Sequence, residues 1–365
     1  MSFTSVEPKC NEINSFQITW ELTLKCNLDC SYCGVDDHNN KIPHPTLSEC
    51  LKTVDFLLDY VDIYMSQRLP EQRYVGLNVF GGESLFHPNI VEILEYIKEK
   101  HKPYKAKWNL SIQTVTNAVV KEKIWNRIID LIDFSTVSYH SESTTEQQDL
   151  VRKNILELMT RNKHFHCSIL MHTKHWDNCI SMIEWCKENN VPYLPRQLDH
   201  QWHNFKFYYT KDQVKWWDEL RGTTTKIPIH KKIMSIVNLD SRGRSCCGGN
   251  QMHVDGNYNS TQTYIPNNNF KGWHCSVNRF FVFVKQVTGE IFTNKDCKMG
   301  FNEKVEPIGY LNNADTLLTE LRNNIKNKTL PIIVCQKKQC KCGLCAPKAL
   351  TKIEYDKIIS KHMLP

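Results

Sequence analysis

The stretch FQITWELTLKCNLDCSYC, residues 16–33, decides the fold. Its first half, Phe16–Leu24, is the kind of apolar and β-branched run that is typical of a buried strand. Its second half places three cysteines, Cys26, Cys30 and Cys33, in one short loop. Three thiolates can surround one metal site, but they leave one position of a tetrahedral site or of a cubane cluster open. The sequence therefore predicts a reactive metal centre directly after the first strand.

The cysteine content supports metal chemistry. The 365 residues include 16 cysteines, which is more than an ordinary soluble enzyme has and fewer than a disulfide scaffold needs. The sequence shows no signal-peptide pattern and no apolar stretch near the roughly 18 residues of a membrane helix, so we expect a cytoplasmic protein without a membrane partner. In a reducing compartment, clustered thiols usually bind metals or carry out redox chemistry. A structural zinc knuckle with His38 as a distant fourth ligand is the alternative.

Short apolar runs alternate with helical periodicities from residue 16 to about 200. This alternation is typical of an α/β fold with a parallel sheet, and we expect a partial (β/α)6 TIM-like barrel. In such barrels functional groups collect at the carboxyl ends of the strands. The predicted strands span Phe16–Leu24, Tyr74–Phe80, Leu110–Val115, Phe134–Tyr139, Phe165–Met171 and Val191–Leu194.

The alternation stops after about residue 200. Beyond it the sequence predicts a β-hairpin and two helices, over residues 280–293, Ala314–Lys326 and Lys348–Ser360. We therefore expect an N-terminal extension, a barrel domain, a bridging segment that covers the barrel mouth, and a C-terminal hairpin-plus-helix domain, over residues 1–15, 16–200, 201–274 and 275–365.

The three-cysteine motif, CxxxCxxC with Tyr32 before its last cysteine, resembles the motif of the radical S-adenosylmethionine (radical SAM) superfamily. The resemblance implies that Cys26, Cys30 and Cys33 hold a [4Fe–4S] cluster whose fourth iron is chelated by the amino and carboxylate groups of SAM. One electron then cleaves the sulfonium C–S bond, and the resulting 5′-deoxyadenosyl radical removes a hydrogen atom from a substrate. A flavodoxin- or ferredoxin-type protein would supply the electron.

Further segments at predicted strand ends agree with the resemblance. Gly81-Gly82-Glu83 matches the GGE motif that binds the amino group of SAM, since two glycines let a ligand approach the backbone and a carboxylate pairs with an ammonium. Thr116-Asn117-Ala118 resembles the TNG turn of the family. His140 and Ser141 stand where the family contacts the ribose, although Ser141 and Glu142 equally fit a helix cap. The cofactor-binding residues implied are Tyr32, Gly81, Gly82, Glu83, Asn117, His140 and Ser141.

A second group of cysteines follows the barrel. Cys275 and Cys297 flank the predicted hairpin, and Cys342-x-x-Cys345 is a pair with metal-binding spacing. This spacing is similar to the twitch domain, a shortened relative of the SPASM domain, which implies one auxiliary [4Fe–4S] cluster. The fuller SPASM motif has a cysteine where this chain has Asn294.

Four other cysteines keep alternatives open. Cys335 and Cys340 either complete a second auxiliary cluster, together with Cys246 or Cys247, or replace one of the four ligands, or the C-terminal thiols bind zinc or stay free. Adjacent cysteines seldom bind one metal, because consecutive side chains diverge. Cys246 and Cys247 are therefore also candidates for a catalytic hydrogen donor or for ordinary buried residues.

The charge distribution leaves one different class of function open. The net charge of +7 resides in residues 323–365, which contain nine lysines and two acidic residues. Such a basic tail is typical of a non-catalytic zinc or Fe–S module that binds nucleic acid, or it surrounds an anionic metal centre, or it is a solvated helix face. Glu83 argues against nucleic acid as the partner, since a binding module needs no carboxylate for SAM.

The substrate is not specified by the sequence alone. Relatives with twitch or SPASM domains imply either a ribosomal peptide that is crosslinked or epimerised, or a small molecule that is oxidised. We therefore expect an enzyme of the oxidoreductase or maturase type that acts on a peptide or a small molecule.

Overall fold

A computed structural model describes residues 5–6, 15–33, 38–198, 209–222, 270–294, 306–336 and 346–360. The strands, in chain order, span Ser5–Val6 (β1), Ser15–Thr23 (β2), Tyr74–Gly81 (β3), Asn109–Thr116 (β4), Phe134–His140 (β5), His164–Met171 (β6), Tyr193–Gln197 (β7), His274–Cys275 (β8), Phe281–Lys285 (β9), Glu290–Phe292 (β10), Gly309–Tyr310 (β11), Ile333–Val334 (β12) and Lys348–Ala349 (β13). The helices span Leu47–Met65 (α1), Ile90–His101 (α2), Glu122–Leu131 (α3), Thr145–Thr160 (α4), Trp176–Glu188 (α5), Lys211–Gly222 (α6), Ala314–Lys326 (α7) and Lys352–Ile359 (α8).

Within the described ranges, the larger sheet has nine strands in the order β11-β10-β9-β2-β3-β4-β5-β6-β7. Strands β2 to β7 are parallel and follow the chain order, with one of the helices α1 to α5 between each pair of neighbours. This arrangement confirms the predicted α/β fold. It also brings the carboxyl ends of six strands to one edge of the sheet.

Alternation along β2 shows how the sequence builds the core. Phe16, Ile18 and Trp20 are completely buried, and Phe16 contacts Tyr60 and Tyr64 of α1 at ring-centroid distances of 6.3 and 5.2 Å. Successive strand residues point to opposite faces, so the residues between them face away from the helices. The helix side of the sheet is therefore apolar, and the residues that alternate with the core line the inner face.

The C-terminal hairpin extends the same sheet. Strand β9 pairs in parallel with β2, with Gln17 opposite Phe281 and Glu21 opposite Lys285, while β10 pairs antiparallel with β9. Every residue of Phe281–Lys285 is buried, as expected for an interior strand covered on both faces. The predicted hairpin is confirmed, and its first strand, β9, pairs with the edge of β2 that β3 does not occupy.

A second sheet of four short strands has the order β1-β13-β8-β12. Strand β13 occupies the start of the segment predicted as a helix over Lys348–Ser360, so that prediction is wrong for its first residues. Helix α8 begins only at Lys352, because Thr351 caps it by accepting a hydrogen bond from the Glu354 amide at 3.3 Å. The residues before this cap pair instead with β8.

Candidate active site

The three-cysteine loop lies at the carboxyl edge of the large sheet, directly after β2. Asn117, just beyond β4, reaches the loop with its side-chain amide, which donates to Asn27 Oδ1 at 2.8 Å and to Cys26 Sγ at 3.7 Å. The turn that holds Asn117 continues through Ala118, whose φ of 55° lies in the left-handed region that favours glycine. Asn27 in turn donates to Val119 O at 2.7 Å. The loop is therefore fixed from the end of β4.

Gly81 and Gly82 allow a close approach of two backbones. A Cβ atom on Gly81 would lie 2.2 Å from Thr23 O, and one on Gly82 would lie 2.5 Å from Lys25 O. The Gly82 amide donates to Thr23 O and the Glu83 amide to Lys25 O, both at 2.8 Å. We expected these glycines to admit a ligand; in the structure they bring the end of β3 against the residues that lead into Cys26.

Glu83 is buried at this junction, with 1% of its surface exposed. Its Oε1 accepts from the Leu85 amide at 2.9 Å and its Oε2 from the Asn117 amide at 2.6 Å. Burial raises the pKa of Glu83 to about 7, although these hydrogen bonds partly oppose the shift. The carboxylate thus links the ends of β3 and β4, in addition to the contact with SAM that the sequence predicts.

Tyr32 and His140 face each other across the loop. Their rings are stacked, with centroids 6.0 Å apart and an interplanar angle of 7°. The Tyr32 hydroxyl lies 2.5 Å from His140 Nδ1, and Cys30 Sγ lies 3.4 Å from the same nitrogen. Burial lowers the pKa of His140 to about 4. A neutral imidazole from the end of β5 therefore contacts the cysteine loop.

Ser141 lies against helix α5, whereas its neighbour Glu142 contacts the cysteine loop. Ser141 is buried with its hydroxyl beside the Cys179 thiol of α5, so its proposed contact with SAM stays a prediction. Neither residue caps α4, since Thr144 is the N-cap and forms a capping box with Gln147. Glu142 instead accepts hydrogen bonds from Ser31 in the cysteine loop.

Sequence reasoning missed two of these partners, Asn27 and Ser31. It also missed His172 and His175, whose Nε2 atoms lie 3.3 and 4.0 Å from Glu142 Oε1. His172 was within reach of the sequence, because it follows the predicted strand Phe165–Met171 directly, where a parallel sheet collects its functional groups. Asn27 and Ser31 carried no such signal. They lie in an irregular loop between the cysteines.

The donor set fits an iron–sulfur cluster. Burial raises the pKa values of Cys26 and Cys30 to about 12 in the metal-free protein. Thiolates are the ligands that iron–sulfur clusters use, so cluster binding must displace these protons. Cys33 lies in the same loop, with its amide donating to Cys30 O at 3.0 Å. Three soft ligands in one turn leave the fourth position for another molecule.

Two of the C-terminal cysteines lie in the described residues. Cys275 is in β8, opposite Ile333 of β12, and Cys335 follows β12 with its amide donating to Trp273 O at 2.9 Å. Ile333 and Cys335 are two residues apart, so Cys335 lies on the same face of the pair as Cys275. The remaining predicted ligands and candidates lie outside the described residues; they are Cys246, Cys247, Cys297, Cys340, Cys342 and Cys345.

The basic segment does not present all its lysines to solvent. Lys348 is 1% exposed, and its Nζ lies 4.5 Å from the centroid of the Phe270 ring. Lys352 forms an ion pair with Asp356 one turn along α8. Both lysines have structural partners, so they do not favour the nucleic-acid alternative.

Comparison with known protein families shows which kind of domain the large sheet and its helices form. The chain matches the radical SAM superfamily over residues 20–194. Residues 20–194 form a radical SAM domain. The domain contains the cysteine loop and the carboxyl ends of β2 to β6, and it implies an enzyme with a [4Fe–4S] cluster bound together with SAM.

Similar proteins extend the comparison. Over 84 residues the chain is 31% identical to the antilisterial bacteriocin subtilosin biosynthesis protein AlbA of Bacillus subtilis (strain 168), a match that covers 23% of this chain and 16% of AlbA. The chain therefore matches only a small part of the length of AlbA.

Two solved structures are similar in fold to the radical SAM domain and its extension. Histidine-tagged anSMEcpe with bound AdoMet is 14% identical, with a TM-score of 0.52 and coverage of 86% of this chain and 82% of that one. Native anSMEcpe with bound AdoMet and the Cp18Cys peptide is 14% identical, with a TM-score of 0.51 and coverage of 90% and 88%. At this identity the likeness shows the shared fold. None of the helices in the described ranges is long and apolar enough to cross a membrane.

Proposed function

We propose that this chain is a radical SAM maturase that cleaves SAM to a 5′-deoxyadenosyl radical and removes a hydrogen atom from a peptide, which is then oxidised, crosslinked or epimerised. The observation that carries the proposal is the convergence of Glu83, Asn117 and His140 on the loop of Cys26, Cys30 and Cys33. A site that needs only structural zinc has no use for this set of strand-end groups.

Each residue of the site has a proposed role. Cys26, Cys30 and Cys33 hold the cluster, which when bound supplies the electron for C–S cleavage. Gly81 and Gly82 bring the β3 end against the loop, where Glu83 receives the amino group of SAM. Asn117 holds the loop from β4, and Tyr32 and His140 border the space beside Cys30. In this assignment Ser141 contributes to the ribose side of the site.

A peptide is the substrate class that the relatives favour. AlbA takes part in bacteriocin biosynthesis by its name, and one anSMEcpe structure contains a peptide. The inner face of the sheet is polar where β5 and β6 run side by side, with Ser138 and Ser168 paired in register. His166 on this face is 6% exposed, and among the described residues neither of its ring nitrogens has a hydrogen-bond partner. Such a face supports binding of a polar chain.

The C-terminal cysteines fit an auxiliary cluster in this proposal. Cys275 and Cys335 lie on one face of the β8–β12 pair, so we include Cys335 among its ligands, with the others drawn from Cys297, Cys340, Cys342 and Cys345. A fully ligated cluster has no open iron, so it would transfer electrons or hold the substrate. Residues 275–365 would then act as a twitch-like or SPASM-like unit. Most of the predicted bridging segment, residues 201–274, lies outside the described residues.

A single assay tests the peptide proposal. The anaerobically reconstituted protein is reduced with dithionite and incubated with SAM, with and without candidate peptides, and both 5′-deoxyadenosine and peptide mass are followed. We expect a peptide substrate to accelerate 5′-deoxyadenosine formation, with a mass decrease of two hydrogens for oxidation or crosslinking. For epimerisation we expect one deuterium from D2O. SAM cleavage without a response to any peptide, together with turnover of a small molecule, would contradict the peptide proposal.

A further inference from the structure

Glu142 links three parts of the active site. Its Oε2 accepts a hydrogen bond from the Ser31 amide at 2.8 Å, and its Oε1 accepts one from the Ser31 hydroxyl at 2.6 Å. The same Oε1 lies 3.3 Å from His172 Nε2, directly after β6. Only 17% of the Glu142 side chain is exposed, and only 3% of the His172 side chain. One carboxylate thus joins the cysteine loop to the ends of β5 and β6.

The hydrogen bonds of His172 define which nitrogen carries its proton. The Lys174 amide donates to His172 Nδ1 at 3.1 Å, so that nitrogen is an acceptor. In a neutral imidazole the proton then resides on Nε2 and points toward Glu142. The ring of His172 also packs beside Tyr32, with centroids 5.8 Å apart. His172 is therefore a donor that orients the carboxylate.

The same residues raise the question of a second metal site. Glu142, His172 and His175 place their ligand atoms within 4.8 Å of one another, which resembles a two-histidine, one-carboxylate site. A metal on His172 Nε2 would require the proton to move to Nδ1, where it would face the Lys174 N–H. Ligating histidines usually donate their other N–H to an acceptor. The contacts of His172 therefore fit a hydrogen-bond network better than a metal site.

We propose that Glu142 is a positioning residue that fastens the cluster loop to β5 and β6 through Ser31. The inference rests on the proposed function, because it assumes that Cys30 and Cys33, on either side of Ser31, hold the SAM-binding cluster. Among the described residues, Glu142 engages both hydrogen-bond donors of Ser31. It thereby fixes the loop at Ser31, whereas Asn117 contacts the loop at Cys26 and Asn27.

This arrangement has an electronic consequence. Iron–sulfur potentials depend on net charge and on hydrogen bonds to the cluster sulfurs. Glu142 places a carboxylate next to the loop, and it engages the Ser31 N–H so that this donor is not free for a sulfur atom. Both effects disfavour the additional electron of the reduced cluster. Glu142 therefore lowers the midpoint potential of the cluster as well as holding its loop.

Two variants and one control test the proposal in the reconstituted full chain, and a third variant, His172→Gln, tests the metal-site alternative by metal analysis. Glu142→Gln keeps the shape but removes the charge and one acceptor, and Ser31→Ala removes only the hydroxyl bond. Glu146→Gln is the matched control, because Glu146 is a nearby glutamate on the exposed face of α4. The measurements are the midpoint potential of the EPR signal that responds to SAM, and the rate of iron loss to a chelator.

We expect Glu142→Gln to shift the midpoint to a more positive value and to accelerate iron loss several-fold. Ser31→Ala should accelerate iron loss less and leave the midpoint near the wild-type value, since the charge remains. Glu146→Gln should match the wild type in both measurements. If Glu142 had a purely structural role, both variants would accelerate iron loss and neither would shift the midpoint potential.

The outcomes distinguish this inference from the proposed function. If the wild type has no cluster signal that responds to SAM, the proposed function itself fails. If that signal is present and Glu142→Gln matches Glu146→Gln, only the positioning role is overturned. Stoichiometric zinc or extra iron that is lost from both Glu142→Gln and His172→Gln would overturn it in favour of a metal site. If Glu142→Gln does not fold, Ser31→Ala still tests the proposal, because Ser31 is exposed and its substitution is tolerated more easily. An unchanged rate of iron loss in Ser31→Ala would then overturn the positioning role.

Discussion

The two cysteine regions of the molecule are held in place by different forces. Cys26–Cys33 is an irregular loop at a strand end, fixed by hydrogen bonds from the ends of β4 and β5. Cys275 lies within a strand, 4% exposed, in an apolar cluster with Phe280, Ala349 and Tyr355. Hydrogen bonds have strict directional requirements, whereas apolar burial does not. The first region therefore controls ligand geometry, and the second mainly fixes two chain segments together.

This difference suits two kinds of cluster. A cluster that binds SAM at an open iron needs neighbouring groups in defined orientations, and the loop at Cys26 has them. A fully ligated cluster needs only its cysteines close together, which strand pairing between β8 and β12 supplies. Substitutions in the first region should therefore affect SAM cleavage, whereas substitutions in the second should leave SAM cleavage intact.

The largest effect is expected from removing the cysteine ligands of the loop. The Cys26→Ala, Cys30→Ala, Cys33→Ala triple variant should lose the cluster that responds to SAM and retain about four irons at the C-terminal site, with the Mössbauer signature of a [4Fe–4S] cluster. Cys50→Ala is the control, because Cys50 is a buried core residue of α1. If the triple variant binds one zinc and no sulfide, the auxiliary cluster is not present.

The converse experiment addresses the second region. Cys275→Ala should remove the auxiliary irons and abolish substrate turnover, while SAM cleavage continues, because Cys275 lies in a different sheet from the strand that leads into the cysteine loop. Alanine also fits the small apolar site that Cys275 occupies. Iron analysis together with a 5′-deoxyadenosine assay checks this result. Loss of SAM cleavage in a folded Cys275→Ala protein would show that the two regions are not independent.

Glu83→Gln should weaken SAM binding by about 10- to 150-fold, the equivalent of a charge-assisted hydrogen bond of about 1.5–3 kcal/mol. The structure adds a second effect, since one of the two amides that Glu83 accepts from would then face the glutamine NH2 group. An unsatisfied buried donor costs about 1–3 kcal/mol of folding stability. Isothermal titration with SAM and chemical unfolding measure the two effects separately. An unchanged dissociation constant for SAM would mean that Gly81-Gly82-Glu83 is only a turn and does not bind SAM.

Glu83 should also make the folding stability of the metal-free protein depend on pH. Its folded pKa of about 7 lies above the ordinary value near 4.3, so the folded state binds the proton more tightly than the unfolded state. Stability from this group is complete below about pH 4 and is lost as pH rises to about 7, by about 1.4 kcal/mol for each pH unit within this range. Unfolding of the metal-free wild type should show this loss relative to Glu83→Gln. Parallel pH profiles for the two proteins would contradict the raised pKa.

The barrel strands could be predicted because their signal is local. Apolar runs and helical periodicity located β2 to β6 to within about two residues, and the last strand was placed early, at Val191–Leu194 instead of Tyr193–Gln197. The pairing of β9 with β2 could not be predicted, since it joins segments far apart in sequence. The strand β13 was missed because two residues are too short for any periodic pattern.

A residue of the candidate site could be predicted when its type is typical of metal or cofactor binding and it also lies at the end of a predicted strand. The cysteines, Glu83, Asn117 and His140 met both conditions. The hydrogen bonds that organise the loop did not, because Ser31 and Glu142 are common surface residues whose role depends on a contact across 111 positions. The sequence predicts a close backbone approach at Gly81 and Gly82, and only the fold reveals that the neighbour is the backbone of Thr23 and Lys25. Their contact with SAM stays a prediction.

Formation of 5′-deoxyadenosine by the wild-type protein tests the central claim most directly. The protein is reconstituted anaerobically with iron and sulfide, reduced, and supplied with SAM alone. We predict a brown protein that converts SAM to 5′-deoxyadenosine and methionine, and no conversion by Cys26→Ala, Cys30→Ala or Cys33→Ala. Wild-type rates of 5′-deoxyadenosine formation in any of these three variants would contradict the assignment of the loop as the site of SAM cleavage.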